Sequence, residues 1–237
     1  MASSADRMAA GAGFGALAKA DELKKRLWFT VGALIIYRLG TYLPLPGIDP
    51  GALADIFSQQ SSGILGMFDM FSGGALSRMT IFALNIMPYI TASIIMQLMT
   101  AIVPSLEALK KDGEAGRKMI NQYTRYLTVL LATVQGYGIA VGLESASGVV
   151  DDPGLFFRVT TVVTLVGGTL FLMWLGEQIT SRGVGNGISL IIFAGIVANL
   201  PTALAGTLEL GRTGALSSLL IVLLFVMAAA VIAFIVF

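Results

Sequence analysis

The chain contains neither cysteine nor histidine, and it carries few charged residues. Without cysteine it can form no disulfide, no CxxC redox pair and no thiolate metal site. Without histidine it lacks the commonest metal ligand and general base, which excludes the Ser-His and Cys-His classes of hydrolase. The formal net charge of +1 argues against direct recognition of nucleic-acid sequence, because that needs a strongly basic surface. We therefore predict a protein that is not an enzyme and that uses no cofactor and no metal.

Charged residues make up only 12% of the 237 positions, whereas hydrophobic residues make up 56%. This charged share is about half the usual value for a soluble domain, so lipid is the expected solvent. Six stretches have the roughly 17 to 25 mostly apolar residues that cross a bilayer. They are 27–43, 79–103, 126–143, 159–175, 188–204 and 216–237. Because a spanning segment must satisfy its own backbone in lipid, we predict an all-α, polytopic helix bundle.

Lysine and arginine are unevenly distributed among the segments that join these spans. Most of them fall in the 26 residues before the first span, which include the tail 1–22, and in the loops 104–125 and 176–187. The positive-inside rule therefore predicts a flexible cytoplasmic tail and places both loops in the cytoplasm. Arg38 lies inside the first span, close enough to its end for the side chain to reach the headgroups.

Two of the connecting segments are unusual. Segment 44–78 contains the short apolar patch 64–71, which is too short to span and is flanked by glycines. The pattern favours equally a re-entrant half-helix and an amphipathic segment on the outer interface. The basic loop 106–126 is either a docking surface for a cytoplasmic partner or an ordinary positive-inside loop. Its candidate docking residues are Lys110, Lys111, Arg117 and Lys118.

Isoleucines recur at helical spacing in the second and fifth spans. Ile86 and Ile90 share a face, and so do Ile188 and Ile192. Such residues can form a hydrophobic constriction that excludes water, but the same spacing is typical of ordinary packing or lipid-facing positions. The glycine-rich segment 183–187 predicts a flexible turn, since no strand and no Lys-Ser/Thr accompany it as in a P-loop.

Five longer strings are distinctive in composition. They are LPLPGID at 43–49, MFDMFSGGALSR at 67–78, NIMPYITASIIMQLMT at 85–100, QYTRY at 122–126 and WLGEQITSRGVGNGIS at 174–189. In this order and spacing, the chain from about Leu23 onward resembles the SecY family of bacterial protein-translocation channels. The resemblance implies ten helices in two inverted halves. Residues 23–204 would be helices one to five and residues 216–237 helix six, so we expect a chain truncated before helices seven to ten.

The same resemblance implies a function and a location. The family passes unfolded secretory polypeptides across the bacterial inner membrane and releases transmembrane segments sideways into lipid. Its partners would be SecE and SecG, with the SecA motor or a ribosome on the cytoplasmic face.

The resemblance also implies site residues. A re-entrant plug would occupy about 64–78, with Ile64, Leu65, Met67, Phe68, Met70, Phe71, Gly73 and Gly74 as its residues. The pore ring would receive Ile86, Ile90, Ile188 and Ile192, and the lateral gate Thr91 and Gln135. Asp69 departs from the neutral residue that many relatives have in the plug.

Three other classes of membrane protein are alternatives. A secondary transporter of small solutes is the main alternative, because such proteins also contain broken helices. It would need paired charges within the membrane, and apart from Arg38 and the interfacial ends the spans contain none. A membrane enzyme would need a carboxylate pair or a Ser-Lys dyad at mid-span, and an ion channel would need a carbonyl-rich filter. The six spans contain neither.

Overall fold

The structure is a computed structural model that describes residues 21–60, 69, 72–146, 148–213 and 217–236. Within these residues the regular elements are helices. They are α1 (Asp21–Gly40), α2 (Pro50–Gln60), α3 (Met87–Ile102), α4 (Pro104–Lys111), α5 (Glu114–Ser145), α6 (Leu155–Arg182), α7 (Gly187–Ala198), α8 (Leu200–Arg212) and α9 (Ser218–Val236). The all-α prediction is therefore confirmed.

Three helical stretches of the described residues are long and apolar enough to cross a membrane. They are Glu114–Ser145, Leu155–Arg182 and Gly187–Arg212. A fourth is possible if α3 and α4 are taken together, although they are bent by 98° at Val103. The first predicted span lies in α1, which carries basic residues at both ends. The sixth coincides with α9. Its stretch Leu220–Ile235 is apolar but shorter than the three helices above.

The second predicted span begins later than the hydropathy indicates. Residues 79–86 form consecutive turns, and regular helix starts only at Met87. Met79 and Asn85 have left-handed backbone conformations, with φ of 41° and 50°, which interrupt a right-handed helix. The backbone of Met79 and Ile81 is instead hydrogen-bonded to Leu43 and Leu45. The prediction of a helix over 79–86 is therefore wrong.

One predicted loop and one predicted span also differ in form. The loop 104–125 is helical in most of its length, because it contains α4 and the first turns of α5. The fifth predicted span, 188–204, is divided at Asn199 into α7 and α8. Pro201 in the first turn of α8 has no backbone N–H to donate, which suits the start of a helix.

The chain forms two compact units, Met1–Gly195 and Ile196–Phe237. In the first unit, α5 packs along α6, and α3 packs along α5. Buried side chains form two clusters there. The first cluster contains Leu45, Leu53, Met79, Ala83, Leu84, Ala132, Ala140, Leu143, Val149, Phe157 and Leu165. The second contains Ala33, Tyr37, Ala75, Phe82, Ile86, Leu172, Leu175, Ile179 and Ile191. In the second unit, α8 and α9 approach where Gly211 lies beside Ile221.

The turn between α6 and α7, which is predicted to be flexible, makes hydrogen bonds to both α1 and α6. The Val184 N–H donates to Thr30 Oγ1 of α1 at 3.1 Å, and the Gly187 N–H donates to Thr180 Oγ1 at 2.8 Å. A methyl group on Gly187 would overlap the Gly176 carbonyl oxygen. The glycines here permit close approach of two helices. The hydrogen bond from Val184 to Thr30 fastens the turn to α1.

An ion pair joins α5 to α6 near this turn. Arg125 Nη2 lies 2.7 Å from each carboxylate oxygen of Glu177, and Arg125 Nε donates to Glu177 Oε1 at 3.1 Å. The bidentate geometry favours a defined pair. Both side chains are partly exposed, so water limits its contribution to about 0–1 kcal/mol.

We expect Arg125→Ala to lower the free energy of unfolding by no more than about 1 kcal/mol, because the pair is partly hydrated. A double-mutant cycle with Glu177→Ala, read from thermal unfolding in detergent, measures the coupling between the two side chains. Arg212→Ala is the matched control, since Arg212 pairs with Glu209 within one helix. A coupling energy clearly above about 1 kcal/mol would contradict the prediction, because it would show that the pair is shielded from water.

Candidate functional site

The isoleucines at helical spacing lie beside a cleft between α3 and α7. Ile86 is the N-cap of α3, and its carbonyl accepts the Ile90 N–H at 3.0 Å, so the two side chains are one helical turn apart. Ile192 lies in α7. These three isoleucines line a cleft of about 230 Å³, together with Asn85 and Met87. The structure thus brings together three of the four predicted ring residues.

Ile188 and Ile86 are placed differently from the other two predicted ring residues. Ile188 lies in the first turn of α7, packs beside Gly176 and does not line this cleft. Ile86 is only 1% exposed and belongs to the second cluster. Ile90 and Ile192 are half-buried, so both present accessible apolar surface to the cleft.

A larger cavity lies between α3 and α5. It measures about 520 Å³, and both predicted gate residues, Thr91 and Gln135, line it. The Thr91 hydroxyl donates to the Met87 carbonyl at 3.0 Å, within its own helix. Asn85 and Met87 line this cavity as well as the isoleucine cleft. The two spaces therefore share a wall at the start of α3, a feature that the sequence pattern did not indicate.

The described part of the predicted plug is a compact, buried turn. Six of the predicted plug residues, Ile64, Leu65, Met67, Phe68, Met70 and Phe71, lie outside the described residues. Gly73 and Gly74 are described and buried. Their φ angles of 67° and 81° lie in the left-handed region, which glycine adopts without strain.

Asp69 caps this turn, which gives a role to a residue that had none from the sequence. Its Oδ1 accepts the Ser77 N–H at 2.8 Å and the Ser72 hydroxyl at 3.3 Å. Its backbone carbonyl accepts the Gly74 N–H at 3.0 Å. A side-chain oxygen that accepts a nearby backbone N–H stabilises a turn in the same way as an N-cap.

We expect Asp69→Asn to leave this turn intact, since the amide oxygen also accepts the Ser77 N–H. Asp69→Ala removes the acceptor and should cost about 1 kcal/mol, the usual value for a lost cap. Hydrogen exchange at the Ser77 amide measures the difference directly. Equal exchange in the asparagine and alanine variants would contradict the assigned cap.

The four candidate docking residues are all exposed, on α4 and the first turns of α5. Lys110 and Arg117 line a polar cavity of about 390 Å³ between α3, α4 and α5, which also contains Gln97 and Asn121. Lys111 instead pairs with Glu107 at 2.7 Å on the same helix. Lys118 is exposed on α5. The exposed cations of this region are thus divided between a helix surface and a pocket.

Comparison with known proteins identifies the family. A family model described as SecY matches residues 80–237. The chain belongs to the SecY family. The protein translocase subunit SecY of Escherichia coli (strain K12) is 58% identical over 219 residues, which are 91% of this chain and 49% of that protein. The subunit from Buchnera aphidicola subsp. Acyrthosiphon kondoi is also 58% identical, over 91% of this chain and 62% of its own length. The chain therefore spans about half the length of such SecY relatives.

Solved structures agree in fold with this SecY chain. A protein conducting channel superposes with a TM-score of 0.55 at 19% identity, over 80% of this chain and 38% of that chain. A structure on the plug domain of the SecY protein gives a TM-score of 0.51 at 20% identity, over 80% and 37%. At this identity the likeness shows an all-α, multi-pass membrane fold. The comparisons give no support to a small-solute transporter.

Proposed function

We propose that this chain forms one half of a protein-conducting channel, through which unfolded polypeptides cross the membrane and transmembrane segments leave into lipid. Membership of the SecY family supports the class of function. The observation that carries the proposal is the cleft that Ile86, Ile90 and Ile192 line together. Further helices of the full-length channel would supply the opposite wall of the conduit and the remaining residues of the pore ring.

The side chains of the cleft suit passage of a chain of any sequence. Isoleucine is branched at Cβ and therefore stiff, and it offers no hydrogen bond to a passing polypeptide. A narrow ring of such residues excludes water and ions when it is empty. The empty ring would thus be closed to water and ions, and the occupied ring would not select among polypeptide sequences.

The cavity of Thr91 and Gln135 would be the entry to a lateral gate. The cavity shares Asn85 and Met87 with the isoleucine cleft. A polypeptide segment that enters the cavity and separates α3 from its neighbours would therefore also displace residues of the ring. A hydrophobic signal sequence that binds this site in the open channel shifts the closed–open equilibrium by its difference in affinity for the two states.

We propose the bacterial inner membrane as the location, with the N-terminus in the cytoplasm. The charge distribution supports this orientation. Contacts agree with it, because Thr30 binds Val184 and Arg125 binds Glu177. These contacts bring α1, α5 and the α6–α7 turn together, and the lysine-rich residues 24–26 and 110–118 lie close to them in sequence.

The partners that the proposal requires are SecE and SecG in the membrane and SecA or a translating ribosome as the source of energy. The exposed cations on α4 and α5 support a docking role for this face. Lys111 is already paired with Glu107, so Lys110, Arg117 and Lys118 are the better candidates.

A photo-crosslinking experiment tests the conduit. A photoreactive residue replaces Ile90 or Ile192 in the full-length channel, and a stalled secretory polypeptide serves as bait. Phe225, exposed on α9, is the control position. Adducts with the polypeptide at both isoleucines and not at Phe225 are expected. Lipid adducts alone at Ile90 and Ile192 would show that the cleft faces the bilayer and would overturn the proposal.

A further inference from the structure

Arg38 has a specific protein partner, although its place in the first span predicts a side chain that reaches for the headgroups. Arg38 Nη1 donates to the Gly73 carbonyl oxygen at 2.8 Å, a contact across 35 residues. The same nitrogen lies 3.4 Å from Thr41 Oγ1, and Nη2 lies 3.3 Å from the Tyr42 hydroxyl. The guanidinium is thus directed at the described turn of the predicted plug.

Arg78 reaches the same carbonyl from the other side. Its Nη2 donates to the Gly73 carbonyl oxygen at 3.0 Å, and its Nε donates to the Gly74 carbonyl oxygen at 2.8 Å. Both guanidinium carbons lie over the Tyr42 ring, at 5.3 Å for Arg38 and 4.3 Å for Arg78. Two cations therefore share one acceptor and one aromatic face, where cation–π attraction favours both.

No carboxylate lies within ion-pair distance of either arginine in the part of the chain that the structure describes. Two like charges at one site repel each other, and near lipid a charge needs compensation. The carbonyls of Gly73 and Gly74 and the Tyr42 ring are the groups that provide it. The hydrogen bonds to the turn therefore help to hold both side chains there, together with the Tyr42 ring and, for Arg38, the hydroxyls of Thr41 and Tyr42.

The turn is held on its other sides as well. The Tyr37 hydroxyl of α1 lies 3.4 Å from the Ser72 carbonyl oxygen. A methyl group on Gly73 would lie 3.0 Å from the Gly195 carbonyl oxygen of α7. Residues 72–74 are consequently enclosed between α1 and α7, with the two guanidinium groups over their carbonyl oxygens.

We propose that Arg38 and Arg78 are positioning residues that form a clamp on Ser72–Gly74: Arg38 fastens the turn to α1, Arg78 closes the turn on itself, and together they favour the closed channel. The inference rests on the proposed function for its consequence, since only in a channel does the position of this turn affect a seal. The clamp itself is a separate claim about structure. Breaking it should loosen residues 72–78 and shift the closed–open equilibrium toward the open form.

The first test is hydrogen exchange in the full-length channel, reconstituted with its partner subunits in lipid vesicles. Arg38→Gln and Arg78→Gln each remove a charged donor, and we expect exchange at the Gly74, Leu76 and Ser77 amides to rise by about tenfold or more, as local opening becomes easier. Arg38→Lys keeps the charge and one donor, so its exchange should be intermediate. Arg26→Gln is the control, because Arg26 is exposed and pairs with Glu22 one turn away in its own helix. Exchange in both clamp variants equal to that control would overturn the clamp.

The second test separates the clamp from the function. Loosening is expected to raise resting ion conductance of the vesicles and to raise export of a substrate with a weakened signal sequence, because less binding energy is then needed to open the channel. Export of a normal substrate should be retained. A merely destabilising change would lower both kinds of export, which would overturn the positioning role. Faster exchange with unchanged conductance would confirm the clamp and contradict the proposed plug and channel.

Discussion

A Gly168→Ala variant is expected to lose most of its folded, membrane-inserted protein. A Cβ on Gly168 of α6 would overlap the Ile81 carbonyl oxygen and touch the Phe82 ring. Overpacking in a core costs about 1–3 kcal/mol. Because the obstacle here is backbone, which cannot rotate away, we expect a loss at the upper end, about 3 kcal/mol. Thermal unfolding of the full-length protein in detergent measures it.

The neighbouring glycine provides a control within the same helix. Gly167 has no atom within 4 Å of the position that a Cβ would take, among the described residues. Gly167→Ala should therefore leave stability unchanged or raise it by up to about 1 kcal/mol, since alanine favours helix. Opposite effects at two adjacent glycines would show that close contact with segment 79–86 sets the cost. Equal effects would mean that the irregular segment does not pack on α6.

This contact illustrates which parts of the fold can be predicted from sequence. Hydropathy predicts the long helices α5 and α6 because twenty apolar residues have few other stable conformations in lipid. It cannot predict residues 79–86, which are as apolar as a span but adopt turns. Their conformation depends on Asn85 and Met79 at positive φ and on backbone hydrogen bonds to Leu43 and Leu45. Those partners are distant in sequence, so a local pattern does not show them.

The candidate site could likewise be predicted from the sequence only in part. Helical spacing predicted that Ile86 and Ile90 share a face, and resemblance to SecY chose their role, but only the tertiary structure shows Ile86 in the core and Ile188 outside the cleft. Arg38 was conspicuous in sequence as a charge in a span, which suggests a functional position. Its partner is a carbonyl oxygen, and a backbone group leaves no residue-specific mark in a sequence.

The second large effect is expected at the isoleucine cleft. Ile90→Asn and Ile192→Asn place an amide at half-buried positions that line it. A polar group in a hydrophobic constriction favours water there and lowers the barrier to ions. We expect resting ion conductance of vesicles that contain the full-length channel to rise by about tenfold, which corresponds to about 1.4 kcal/mol of barrier.

Ile86→Asn should behave differently, although the sequence groups it with Ile90. Its side chain is 1% exposed and packs in the second cluster with Tyr37, Phe82 and Ile191. Burying an amide there without a partner costs about 1–3 kcal/mol, so the main effect should be less folded protein, not more conductance per channel. Unfolding in detergent and single-channel recording separate the two outcomes. If Ile86→Asn conducts as strongly as Ile90→Asn at full stability, Ile86 faces the conduit in the membrane and the ring is tighter than this cleft indicates.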